Sequence, residues 1–236
     1  MEKEQEKEQE KEQEKEQKFI FNKENAFCIS LLSKNDRWIK MVDRFKYFGM
    51  EDKVTRWIAS TEPKENFVYY LNNGQRCCAQ SHINVWRHIV EKNLEYALIL
   101  EDDACFDKQW LEKLDLFFTQ KLAKEWAKEW EAIFLNASEP IFPLNEWTNA
   151  SEQYLCGGYI LSNKGARTVL DMFSHCYFSS DWMTRCLQTH GHSYTYHPWL
   201  IIQEGNETTI GSGFELDHAK VVRCLQEINY DMENYV

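Results

Sequence analysis

The chain is short of proline, of basic residues and of long apolar runs, and each shortage excludes a class of protein. Four prolines and nine glycines among 236 residues exclude collagen-like and proline-rich low-complexity chains. No stretch approaches 18 apolar residues, and residues 2–17 contain only Glu, Lys and Gln, so neither a transmembrane segment nor a secretory peptide is predicted. We therefore expect a cytoplasmic protein, in the host cytoplasm if the source is viral.

Acidic residues outnumber basic ones, which limits the partners that the chain attracts. The 38 Asp and Glu against 27 Lys and Arg give a formal net charge of -11. Such a field repels a phosphate backbone, so we expect no nucleic acid among the partners. A small anionic ligand is compatible with this charge if a metal ion neutralises it.

The apolar content and the cysteines indicate one folded core in a reducing compartment. Hydrophobic residues make up 43% of the chain, which is enough for one sizeable core. The eight cysteines form no CxxC pair and no zinc-ligand spacing, and most of them lie in apolar runs. We predict that they are reduced thiols that pack as small hydrophobic side chains.

The chain divides into a repetitive tail and one domain. Residues 2–17 repeat Glu-Lys-Glu-Gln four times and offer no apolar side chain to bury. We predict a disordered low-complexity tail over residues 1–18 and a single domain over residues 19–236. The tetrapeptide Ala-Lys-Glu-Trp occurs twice over residues 123–130, which predicts a helix with Trp126 and Trp130 on one face.

Within the domain, short apolar runs alternate with helical patterns, which is typical of an α/β protein with a largely parallel central sheet flanked by helices. The runs predict strands at residues 26–32, 54–59, 96–100, 132–136, 155–162 and 194–202. Apolar residues at helical spacing predict helices that end near residue 48 and that cover residues 81–91, 110–118 and 164–173.

The strongest chemical signal lies where the strand at residues 96–100 ends. Glu101, Asp102 and Asp103 follow it directly, and their mutual repulsion costs free energy unless a cation compensates it. Ligands of open α/β sheets bind beyond the carboxyl ends of the strands. Because carboxylate oxygens suit Mg2+ or Mn2+, the pattern predicts a metal site, whereas the alternative is a solvated loop with helix-capping acids.

Three further blocks accompany these acids. Residues 73–86 combine a glycine turn with cysteines, a Ser-His pair and a Trp four residues later. Residues 157–166 contain Gly-Gly-Tyr and a Ser-x-x-Gly-Ala turn, and residues 180–203 begin Ser-Asp-Trp and continue to His-Pro and Gln. In this order, over residues 26–213, the blocks resemble glycosyltransferase family 25, the family of lipopolysaccharide and collagen-type galactosyltransferases.

The resemblance implies a GT-A type, Rossmann-like nucleotide-sugar-binding fold and an inverting transferase. Such an enzyme would move a hexose, galactose or glucose, from a UDP-sugar donor to a hydroxyl of a glycan or glycoconjugate acceptor. Asp103 and then Asp102 are expected to hold Mn2+ or Mg2+, and Glu101 to face the ribose or the water shell of the metal. Asp181 is expected to act as the base, with Glu204 as the reserve candidate.

The resemblance also indicates which residues contact the nucleotide sugar. They are Arg37, Ser81, His82, Gly157, Gly158 and Gln203. From the residues alone, Ser81 and His82 are as well explained by an N-cap and a structural histidine, and the two glycines by a β-bulge. Trp86 is expected in the core. A C-terminal histidine, His197 or His218, is a further candidate ligand of the metal.

Two other functions stay open at this stage. A protein that binds nucleotide sugars but has lost catalysis would keep the same blocks. A metal-dependent phosphohydrolase would also use clustered aspartates. The sequence contains no additional His and Asp motif of the kind that two-metal phosphohydrolase sites need, so the transferase is the preferred interpretation.

Overall fold

The computed structural model describes residues 18–119, 130–136, 139–140, 142–205 and 214–236. The predicted tail lies outside the described residues except for Lys18, and so does Trp126 of the predicted tryptophan-bearing helix. The described chain packs into the core from its first apolar residue, because Phe19 is buried against Phe117, Phe118 and Trp130.

Seven strands form the central sheet. They are β1 (Ala26–Ser30), β2 (Thr55–Ile58), β3 (Tyr96–Glu101), β5 (Ala132–Phe134), β6 (Trp147–Asn149), β7 (Gly158–Ser162) and β8 (Ser193–Tyr196). Their order across the sheet is β2-β1-β3-β7-β5-β8-β6. Five strands run in one direction, while β6 and β7 run in the other, as the pairing of neighbouring strands shows. The predicted α/β class with a mostly parallel sheet is therefore confirmed.

Helices cover both faces of this sheet. They are α1 (Asn35–Tyr47), α2 (Asn73–Glu91), α3 (Trp110–Thr119), α4 (Asn163–Met172), α5 (Ser180–Arg185) and α6 (Phe214–Glu227). The side chains of β3 alternate, so that Leu98 and Leu100 join one core cluster and Ala97 and Ile99 join another. The first cluster contains residues of α1 and α3, and the second contains residues of α2 and α4. No described helix is long and apolar enough to cross a membrane.

A second, two-stranded sheet corrects one prediction. The single strand predicted at residues 194–202 is two strands, because β8 ends at Tyr196 and β9 (Ile201–Gln203) pairs with β4 (Ala104–Phe106). Pro198 has no N–H to donate to a ladder, and the chain leaves the central sheet there. This change of sheet brings the end of β9 next to the acids that follow β3, because the backbone N–H of Glu204 donates to the carbonyl of Asp103 at 2.8 Å.

Other boundaries differ from the predictions for local reasons. Helix α2 begins eight residues earlier than predicted, because Asn72 and Gln75 form a reciprocal capping box at its start. Strand β7 begins at Gly158, three residues later than predicted. Strands β4 and β6 and helices α5 and α6 have no counterpart among the predictions. All eight cysteines are free thiols, as expected, but only four of them are buried.

Candidate functional site

A cavity of about 280 Å3 lies at the carboxyl ends of β1, β2 and β3. These three strands are parallel, so their carboxyl ends open at the same edge of the sheet. The first half of α2 and the first turn of α1 complete the wall. The polar and charged lining residues are Arg37, Ser60, Thr61, Cys77, Cys78, Ser81, Glu101, Asp102, Asp103 and Gln203.

Arg37 neutralises the two aspartates of the acidic cluster. Its Nε lies 3.0 Å from Asp102 Oδ1, and one of its terminal nitrogens lies 2.7 Å from Asp103 Oδ2. Burial nevertheless raises the pKa of Asp102 above its ordinary 3.8, against the opposing charge of Arg37. Burial, and then the charge of Glu101, raise the pKa of Asp103 from 3.8 to about 7. Ionising these two carboxylates in the folded protein therefore costs free energy, and a bound cation would offset that cost.

Glu101 differs from the two aspartates because hydrogen-bond donors surround it. His82 Nε2 lies 3.1 Å from Oε1, and the Cys78 thiol lies 3.7 Å from the same oxygen. Gln203 Nε2 donates to Oε2 at 3.1 Å. Burial alone would raise the pKa of Glu101, but the interactions with His82, and then the hydrogen bond from Cys78 and the charge of Arg37, outweigh it and lower the pKa.

The donors to Glu101 have partners of their own. His82 Nδ1 lies 2.8 Å from the Tyr159 hydroxyl, which also accepts the indole N–H of Trp86 at 2.8 Å. All three side chains are fully buried. Tyr159 and Cys78 were not predicted as site residues, although both lie inside the blocks that carried the resemblance. Trp86 is a core residue, as predicted.

Ser81 lines the cavity and also holds one of its walls. Its hydroxyl donates to the Cys77 carbonyl at 2.8 Å and accepts the backbone N–H of Ser60 at 2.9 Å. Ser60 belongs to the segment that follows β2. Ser81 is therefore not the N-cap of α2, which is Asn72.

Gly157 and Gly158 lie behind the acids and outside the cavity lining. The Gly157 carbonyl accepts the backbone N–H of Glu101 at 3.0 Å. A Cβ on Gly157 would come within 2.7 Å of Asn136 Oδ1, and a Cβ on Gly158 within 2.5 Å of an Ile201 methyl carbon. These glycines allow strands and side chains to approach closely beneath the site.

The two candidate bases occupy different surroundings. Asp181 lies in the first turn of α5, where the preceding Ser180 hydroxyl is 3.9 Å from Cys78 Sγ in the cavity wall. Glu204 pairs instead with Lys40 at 2.9 Å and with Arg44 at 3.4 Å, which links β9 to α1. Both carboxylates lie outside the cavity lining, and two cations already engage Glu204, so Asp181 is the candidate without an ion-pair partner among the described residues.

The two histidine candidates are also separated. The His197 ring packs on Trp199 with a centroid distance of 4.7 Å and on Phe142. Burial lowers its pKa to about 4, and it lies outside the cavity lining. His218 lies over Gly205, because a Cβ there would come within 2.4 Å of His218 Nε2. Gly205 directly follows Glu204, so His218 packs against the segment that follows β9.

The donor set suits a hard divalent cation. Asp102 and Asp103 supply carboxylate oxygens beside the amide of Gln203, and Mg2+ and Mn2+ prefer such ligands. A second group, Cys78, His82 and Glu101, offers one ligand atom each within 4.8 Å of one another. That mixed group of sulfur, nitrogen and oxygen is typical of softer metals such as zinc.

The fold and the site define an α/β protein with a cavity at the carboxyl edge of its central sheet, where open α/β sheets bind their ligands. The chain belongs to glycosyltransferase family 25, because the family model described as Glycosyltransferase family 25 (LPS biosynthesis protein) matches residues 2–184. The family resemblance found in the sequence is thereby confirmed.

The chain is also similar to individual glycosyltransferases. It is 31% identical over 115 residues to Procollagen galactosyltransferase 1-B of Xenopus laevis, a match that covers 43% of this chain and 18% of that protein. It is 26% identical over 170 residues to the Lacto-N-neotetraose biosynthesis glycosyltransferase LgtE of Neisseria gonorrhoeae, a match that covers 62% of this chain and 59% of that protein. The matches thus span less than a fifth of the procollagen enzyme and about three fifths of the bacterial one.

Proposed function

We propose that the protein is a metal-dependent, inverting glycosyltransferase that moves a hexose from a UDP-sugar to a hydroxyl of a glycan or glycoconjugate. The observation that carries this proposal is the position of Glu101, Asp102 and Asp103 in the wall of a cavity at the carboxyl ends of three parallel strands. Membership of glycosyltransferase family 25 supports it. Because several relatives are named galactosyltransferases, galactose is the hexose that we propose first and glucose the second.

In this proposal Asp103 and Asp102 hold Mn2+ or Mg2+ and Arg37 neutralises their remaining charge. The bound cation would stabilise the negative charge that develops on the departing diphosphate, a contribution of several kcal/mol. Glu101 and Gln203 line the cavity beside these aspartates. The Glu101 carboxylate accepts a hydrogen bond from the nucleotide sugar, and the Gln203 amide donates one to it. Ser81 and the segment after β2 shape the wall against which the nucleotide packs.

The acceptor side of the reaction needs a base. The Asp181 carboxylate takes the proton of the acceptor hydroxyl while the hydroxyl oxygen forms the new bond to the anomeric carbon. The bond between that carbon and the diphosphate oxygen breaks on the opposite face, so the configuration inverts. A positioned carboxylate contributes about 10²–10⁴-fold to such a step.

The first test is a thermal-shift panel of UDP-, GDP-, CMP- and TDP-sugars, each with and without Mn2+. Ligand at about 100 times its Kd stabilises the folded state by about 2.7 kcal/mol through mass action. We expect a shift with UDP-galactose or UDP-glucose that requires Mn2+ and disappears with EDTA. Asp115→Asn is the control variant, because Asp115 is exposed on α3. Its thermal shift should be as large as that of the wild type.

An acceptor screen with the donor so identified then tests turnover. Transfer to a glycan acceptor supports the proposal. Binding without transfer across a broad panel would favour the non-catalytic nucleotide-sugar-binding protein. Release of free phosphate from simple esters would favour the phosphohydrolase.

A further inference from the structure

Three buried side chains form a continuous row of hydrogen bonds behind Glu101. Trp86 Nε1 donates to the Tyr159 hydroxyl at 2.8 Å, the hydroxyl lies 2.8 Å from His82 Nδ1, and His82 Nε2 lies 3.1 Å from Glu101 Oε1. Trp86 and His82 belong to α2, Tyr159 to β7 and Glu101 to β3. The row therefore crosses from a helix to two neighbouring strands and ends in the cavity.

The chemistry of these groups indicates which atom donates and which accepts in each hydrogen bond of the row. An indole N–H can only donate, so the Tyr159 oxygen accepts from Trp86 and its own proton is available to His82 Nδ1. A neutral imidazole that accepts at Nδ1 carries its proton at Nε2. That proton points at a carboxylate oxygen, which is an acceptor. The opposite tautomer would place a bare Nε2 against the carboxylate and leave the buried tyrosine proton without an acceptor among the described residues, which is costly.

We propose that Trp86, Tyr159 and His82 are positioning residues that hold His82 as the Nε2–H tautomer and so orient the Glu101 carboxylate for its ligand. Two donors, His82 and Cys78, engage Oε1, and Gln203 engages Oε2. A carboxylate has about four acceptor positions, so one position is left for a donor from the ligand. The O–H of a nucleotide sugar, in the ribose or the hexose, is the donor that this position takes. That last identification rests on the proposed function, whereas the tautomer does not.

The same row argues against a soft-metal site at Cys78, His82 and Glu101. A metal would need the lone pair of His82 Nε2, which the row fills with a proton, and a deprotonated Cys78 thiol. Burial, and then the charge of Glu101, raise the pKa of that thiol well above its ordinary value, so a metal would have to displace a proton from each of these two ligands. The three atoms are close because they share one carboxylate oxygen, and we expect no metal there.

The tautomer can be measured directly in the full chain. With ring-15N-labelled histidine, the seven histidines give separate ring signals, and the His82→Gln variant identifies those of His82. We expect a protonated Nε2 and an unprotonated Nδ1 in the absence of any nucleotide sugar. A protonated Nδ1 at neutral pH would overturn the proposal, whether or not the protein is a transferase.

The coupling to Glu101 is tested by a double-mutant cycle. We expect Tyr159→Phe to weaken the binding of the UDP-sugar about tenfold, as the loss of one buried hydrogen bond does. In a Glu101→Gln background the same change should weaken binding by less than about twofold, because its effect acts through the carboxylate. The matched control is Tyr196→Phe, a buried tyrosine on β8 outside the cavity lining.

The remaining outcomes separate the possible failures. If Tyr159→Phe weakened UDP-sugar binding equally with and without the Glu101 carboxylate, the role of Tyr159 would be merely structural and the proposal would be overturned. Titration with Co2+ tests the soft-metal alternative, because a thiolate ligand produces a charge-transfer band in the near ultraviolet. A band that is lost in Cys78→Ser but kept in Cys77→Ser would overturn the proposal. A wild-type protein that binds no nucleotide sugar refutes the proposed function, while the histidine spectrum still decides the tautomer.

Discussion

Replacing Asp103 with asparagine is expected to stabilise the metal-free protein and to abolish its activity. The amide keeps the shape of the side chain and an oxygen that accepts from Arg37, which lies 2.7 Å from the present carboxylate. It removes the ionisable group whose pKa burial and the charge of Glu101 raise from 3.8 to about 7. The folded state therefore keeps this proton in a range of pH where the unfolded chain releases it.

The sign and the size of the effect follow from this difference. The contribution of Asp103 to stability is fully present below pH 3.8 and is lost as the pH rises through about 7. A difference of about 3 pH units, at about 1.36 kcal/mol each, corresponds to at most about 4 kcal/mol. The amide of the Asp103→Asn variant does not titrate, so the variant escapes this loss. In a chain of this size about 1 kcal/mol shifts Tm by about 2–4 °C, so the advantage of the variant at pH 8 is roughly 10 °C.

The assay is thermal or urea unfolding of wild type and Asp103→Asn at pH 4 and pH 8 in the presence of EDTA. We expect nearly equal stabilities at pH 4 and a more stable variant at pH 8. Asp115→Asn, on the exposed surface of α3, should show no such dependence. A variant that is less stable than wild type at pH 8, or one that keeps the Mn2+-dependent shift with a UDP-sugar, would refute the reasoning.

Three further substitutions test the base and the packing. Asp181→Asn should lower kcat about 10²–10⁴-fold while donor affinity stays within a fewfold, whereas Asp171→Asn, exposed on α4, should change neither value in a transfer assay. Glu204→Gln should retain kcat within a fewfold, because its two cationic partners already occupy the carboxylate; a loss as large as that of the first variant would make this residue the base. Gly165→Ala should destabilise the fold by about 1–3 kcal/mol in urea unfolding, because its Cβ would come within 2.3 Å of the Glu131 carbonyl oxygen; unchanged stability would contradict that contact.

The architecture was readable from the sequence because it depends on local patterns. The apolar run of β3 and the helical spacing in α2 each specify an element with little help from the rest of the chain. The strand at residues 194–202 was misjudged because both halves are rich in aromatic or aliphatic side chains, and only their different partners separate them. Helix α2 began earlier than its apolar spacing suggested because a polar capping box starts it.

The candidate site was found in part for the same reason. The three consecutive acids at the end of a strand form a local signal, and the topology of an α/β sheet predicts that a ligand binds there. Tyr159 and Cys78 carried no such signal, because a tyrosine or a cysteine within an apolar stretch looks like a core residue in a sequence. Their role depends on which polar atoms lie within about 3–4 Å of them, the range of hydrogen bonds from oxygen, nitrogen and sulfur.

The sequence by itself therefore determined the fold class, the family and the edge of the sheet where chemistry is expected, since these follow from residue type and order. Only the tertiary structure decided which donors and charges surround each carboxylate. Arg37 and Gln203 lie far from the acids along the chain, yet both touch them. The pKa of a carboxylate depends on burial and on charges a few ångströms away. For this reason Glu101, Asp102 and Asp103, alike in chemistry and adjacent in sequence, acquire different properties only in the folded protein.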